Sequence, residues 1–142
     1  MKLSGPEGAN PSKQRRMLEK TLRNIDIVAG LLFCGMGLAV FFRQSLVLGF
    51  MEQVIGLPVL HVVIGLGYLA SGGWLLYHGI RRIPMSTVQF TLAGMVLFVH
   101  TTLTVYFNII NQSWIATFIF ALVMVHHYSI ALLRGPLRTY VR

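Results

Sequence analysis

Five histidines, His61, His78, His100, His126 and His127, are the residues of this 142-residue chain whose type and placement could do chemistry. Four lie inside long apolar runs and His78 stands at the edge of one. An ionisable side chain is costly in such surroundings, so each is a candidate for ligation, proton transfer or interhelical hydrogen bonding. At 100° per residue, His61 shares a helical face with Gly65, Tyr68 and Gly72, and His100 shares one with Ser86, Gln89, Ala93 and Thr104. Both stripes are small or polar and should face inward. His127 aligns with Ser113, Ala116, Phe120 and Ala131 and also looks inward, whereas His126 aligns with Ile115, Ile119, Leu122 and Leu133 and looks toward lipid or a partner helix.

Depth narrows the set. At a rise of about 1.5 Å per residue, His61 and His100 lie roughly 6 and 10 Å from the same end of their helices, while His127 lies about 20 Å from it. His61 and His100 are therefore the pair that could meet. Two neutral imidazoles facing each other across a helical interior can take both axial positions of a b-type haem, with His127 a less well placed third candidate. Alternatively, they bond to Thr, Tyr or Gln and fix helix register, and no cofactor is held. Other chemistry lacks its residues. There is no His-Glu helix motif, cysteine pair or membrane carboxylate for metal hydrolysis, and no phosphate loop or nucleophile elbow. No catalytic residue is assigned.

The elements that must position these side chains are four apolar runs, at about 25–42, 57–77, 87–107 and 114–133. Each supplies roughly the 20 helical residues that a hydrocarbon core of about 30 Å requires. With 55% hydrophobic residues, 11% charged and a mean hydropathy of +0.68, little is left for a soluble domain. Of the twelve Lys and Arg, only Arg43 falls in the first or third connection; the others precede the first run, separate the second from the third or follow the fourth. Basic loops stay on the cytoplasmic side, which predicts an all-α integral membrane protein: an antiparallel four-transmembrane-helix bundle in the inner (cytoplasmic) membrane with both termini cytoplasmic. The same rule accounts for the net charge of +8 without a nucleic-acid partner.

Residues 1–24 divide into a mobile tail, MKLSGPEGANP, and a basic amphipathic helix from Ser12 that should lie on the anionic leaflet. The membrane domain is 25–133 and a basic tail, 134–142, follows. Phe41, Phe42 and Arg43 after the first run mark an uncleaved anchor. Asp26 is expected to be held by Arg23 or by backbone amides. One helical turn is expected around 46–51, with Gly79 as a helix stop and Pro84 as a restart. Small residues should bring the first two crossings together, with Gly35–Ala39 and Gly67–Ser71 as small-xxx-small spacings and Gly65 and Gly72 beside them. Lone Cys34 has no disulfide partner in the chain.

The stretch LPVLHVVIGLGYLASGGWLLYHGIRR, with its Gly-rich second crossing and basic turn, resembles the DoxX-like group of small four-helix bacterial inner-membrane proteins. That resemblance implies association with membrane redox complexes and quinone-linked chemistry. No functional position carries over, because this second run has no acid and the first no internal Lys. A chain this small, without a soluble domain, is expected to be a non-catalytic accessory or assembly subunit working with other membrane subunits or as a homo-oligomer. A haem b or quinone-linked electron-transfer subunit is the alternative, with Tyr68, Thr104 and Tyr106 lining an apolar slot. An oligomeric transporter or channel is a third.

Overall fold

A computed structural model of the chain describes residues 11–42, 46–56, 59–111 and 114–139, and these are almost wholly helical. The expected mobile tail up to residue 10, together with residues 43–45, 57–58, 112–113 and 140–142, lies outside the described residues, while Pro11 opens α1. The helices are α1 (Pro11–Phe41), α2 (Leu46–Ile55), α3 (Leu60–Arg81), α4 (Thr87–Ala93), α5 (Met95–Asn111) and α6 (Ile115–Thr139). By length and composition α1, α3 and α6 can each cross a membrane, and α4 with α5 pass the same test together as one span bent by 40°.

The basic segment after Ser12 runs into the first apolar run, and the two form one 31-residue helix with no break between them. Two local expectations need correction. The first connection holds a ten-residue helix, not one turn, because Leu48 and Met51 are buried on its inner face and Phe50 meets Phe107 edge-on at 5.1 Å. Gly79 does not stop α3. It is a packing position, where a Cβ would stand 2.7 Å from Ile27 Cγ1, and the helix runs on until Arg82 takes a left-handed conformation at φ 57°. A reciprocal cap between Ser86 and Gln89 then opens α4.

The α1–α3 seam is antiparallel: Gly30 lies against Leu76 and Gly72, and Gly37 against Leu69 and Gly65. Close backbone approach is possible only because these positions lack a Cβ. The seam glycines are seven residues apart on each helix, at 30 and 37 and at 65 and 72, so they stay on one face through two turns. Gly35 and Ala39 are exposed instead, with nothing within 4 Å of a Cβ at Gly35; that spacing lies about 140° round the helix from Gly30 and takes no part in the seam. Gly67 faces Val96 on α5, and Ser71 is half-buried.

Across the interior, Phe33 of α1 meets Tyr68 of α3 edge-on at 5.6 Å and stacks on His127 of α6 at 5.4 Å. Phe90, Leu97, Leu75 and Tyr68 are fully enclosed around it. α5 and α6 also run antiparallel, since Gly94 meets His127 and Asn108 meets Thr117.

Candidate functional site

The buried polar side chains form three tiers between the helices. At the end away from the basic residues, α2 places Glu52 at the start of α3. Its Oε1 accepts from the backbone N–H of His61 at 3.1 Å and stands 2.9 Å from His61 Nδ1. The first amides of a helix have no partner inside it, and Val59 supplies no side-chain cap, so Glu52 caps α3 from another helix. Nearby, the hydroxyl of Tyr68 lies 3.2 Å from His100 Nδ1, while His100 Nε2 is enclosed without a hydrogen-bond partner and Phe120 packs 4.4 Å from the ring. His61 and His100 are each 2% exposed.

Asn108, two turns beyond His100, donates to Thr117 of α6 and leaves its Oδ1 enclosed without a partner. Thr101 and Thr104 return their hydroxyls to the carbonyls of Leu97 and His100 at 2.7 and 2.8 Å. Tyr106 is exposed, so the slot imagined between Tyr68, Thr104 and Tyr106 does not assemble.

The middle tier explains His127. Between α4 and α5 the Gly94 N–H turns to the carbonyl of Thr91 at 3.0 Å, which takes from Phe90 the donor that a continuous helix would provide. His127 Nε2 lies 2.9 Å from that same carbonyl, and a carbonyl can only accept, so the ring carries its proton on Nε2. Tyr128 donates to the carbonyl of Gly94 at 3.2 Å. Gly94 is needed for this closure, because a Cβ there would lie 2.5 Å from the imidazole. His127 thus seals a helix break and stands apart from His61 and His100, with no group of three or more metal-binding side chains among the described residues. His127→Phe should cost about 1–3 kcal/mol by leaving the Phe90 carbonyl unsatisfied, and His127→Gln, which keeps a donor, should cost less. Equal losses in denaturant titrations would contradict this role.

In the third tier Asp26 of α1 pairs with Arg134 of α6, not with Arg23. Arg134 lies 3.9 Å above the Phe90 ring, whose other neighbour is His127, stacked at 4.4 Å and 8°. His78 is buried and bonds within its own helix, Nδ1 to the carbonyl of Trp74 at 3.0 Å.

No family model, curated protein or solved structure matches the chain. Sequence reading missed the Glu52–His61, Asn108–Thr117 and Asp26–Arg134 partnerships. Only Asn108 left a signal: it continues the stripe of Leu97, Thr101 and Thr104 at alternating spacings of four, three and four.

Proposed function

We propose that this chain is a four-pass inner-membrane protein, an antiparallel bundle of α1, α3, bent α4–α5 and α6 with its basic end in the cytoplasm, serving as a non-catalytic accessory or assembly subunit. The positive-inside distribution supports the orientation. The observation that carries the function is the outward face of α6. Only 11% of its apolar stretch is buried, against 28% for α1 and 33% for α3. Ile115, Phe118, Leu122, Val125, Ser129 and Leu132 stand exposed along it at alternating three- and four-residue spacings, the repeat of a helix–helix seam. His126 lies exposed in the same face, about 16 Å from Ile115 and so near mid-membrane. An imidazole there is costly against lipid and favourable against a partner helix that offers a hydrogen bond.

Gentle detergent extraction followed by native electrophoresis and mass spectrometry tests the reading. A heteromeric complex is expected, dissociated by Leu122→Trp with His126→Leu and retained by the control Leu38→Trp on α1, also an exposed apolar position. A strictly monomeric particle refutes the proposal, and a homo-oligomer would favour the transporter alternative.

One observation favours a redox reading in second place. His61 Nδ1 stands beside a carboxylate and His100 Nδ1 beside a phenol, the way ligating imidazoles are oriented by their other nitrogen. His61 and His100 would hold the iron of haem b, which would supply one-electron transfer, and Phe120 packs 4.4 Å from the His100 ring. The same purified particle decides it: a Soret band lost on His100→Ala supports haem, and a colourless native complex eliminates it.

A further inference from the structure

Between the basic half of α1, the end of α3 and the turn into α4 lies a cavity of about 540 Å³. Its volume falls within the roughly 300–1,000 Å³ of small-molecule sites and is too large for a bare phosphate to fill. Two acids line it and each already has a cation: Glu19 pairs with Arg15 at 3.2 Å and Asp26 with Arg134. Arg16, Lys20, Arg23 and Arg82 also line it, and none has an acidic partner among the described residues. The Nε of Arg23 is enclosed without any hydrogen-bond acceptor. Leaving a buried charged donor unmet is unfavourable unless an acceptor enters.

Arg82 adds an independent sign. Left-handed backbone is the position where chains ordinarily place Gly or Asn, and this chain puts an arginine there, at φ 57°, beside the cavity. The remaining wall is His78 with the apolar Leu22, Ile83, Pro84 and buried Met85. Four cations with no acidic partner among the described residues, above a largely apolar floor, match an amphiphile with a negatively charged head.

We infer that this cavity binds a phosphate-bearing anion, and that in the membrane its source is the headgroup of an anionic phospholipid with the start of the acyl chains against Leu22, Ile83 and Met85. Guanidinium groups suit phosphate oxygens because their N–H groups can pair with two at once. The site rests on the chain's lying in a membrane and is independent of what docks on α6.

The test uses the full chain, purified in uncharged detergent without phosphate. Native mass spectrometry with equal phosphatidylglycerol and phosphatidylcholine should show preferential retention of phosphatidylglycerol, and pyrophosphate titrated against thermal stability probes the soluble source. Arg23→Gln with Arg82→Asn should weaken phosphatidylglycerol binding by about tenfold or more. Lys13→Gln with Arg81→Gln removes as much charge from the same end outside the cavity and should leave binding within about twofold. Should the first pair fail to fold, exposed Arg16→Gln with Lys20→Gln serves in its place. Stabilisation by pyrophosphate alone, lost in the cavity variants, would keep the site and assign it a soluble phosphate compound. Equal weakening by cavity and control pairs, or no preference for the anionic lipid and no response to pyrophosphate, overturns the inference.

Discussion

Asp26→Ala is expected to destabilise the folded protein by about 3–5 kcal/mol, the largest effect of any single polar substitution here. The reason is what stays behind. Arg134 is 2% exposed, lies against the Phe90 ring and pairs with Asp26. Neutral interhelical hydrogen bonds in membranes average only about 0.6 kcal/mol, so loss of a neutral bond could not produce such an effect, whereas taking the carboxylate from a buried ion pair can. Asp26→Leu combined with Arg134→Met should recover most of the loss, because both charges then leave together and the volume is kept. Equilibrium unfolding in mixed micelles with increasing SDS measures all three proteins. A single-mutant loss under about 1 kcal/mol, or no recovery in the double mutant, would show that solvent reaches Arg134.

Gly72→Leu should open the α1–α3 seam, and the adjacent Gly73→Leu should not. A Cβ at Gly72 would lie 2.7 Å from both the backbone nitrogen and the Sγ of Cys34 and 2.8 Å from the carbonyl of Gly30, so backbone must move. At Gly73 nothing lies within 4 Å. Overpacking costs about 1–3 kcal/mol where side chains yield, and more is expected where helix backbones are the obstacle. Half-buried Cys34 supplies the readout, since α1 lifting from α3 exposes its thiol to a maleimide. Faster labelling in Gly72→Leu, with Gly73→Leu matching the parent protein, is the expected pattern. Equal labelling in all three would mean that the helices repack around the added side chain.

Hydropathy and the distribution of Lys and Arg located the apolar helices because both signals are local and repeated along the chain. The inward turn of His61, His100 and His127 and the outward turn of His126 followed from helical period alone. Partnerships between distant segments were not legible. Asp26 and Arg134 are 108 residues apart, and no periodicity relates them. Nor could spacing choose the seam: α1 carries small residues on two faces, and only the approach of α3 decides that Gly30 and Gly37 pack while Gly35 stays exposed. The break at Gly94 was hidden for a similar reason. A glycine inside an apolar run is compatible with a continuous helix until a side chain from α6 takes up the carbonyl left by the interruption.

That interruption has a bearing on how the chain is made. During synthesis α4 and α5 emerge before α6, carrying a main-chain oxygen whose donor belongs to a segment not yet translated. Hydrocarbon offers no substitute. In the proposed four-pass topology α4–α5 therefore has reason to wait beside the insertion machinery until α6 arrives and to enter lipid with it as a hairpin, so that a ribosome stalled before residue 127 would hold back both segments.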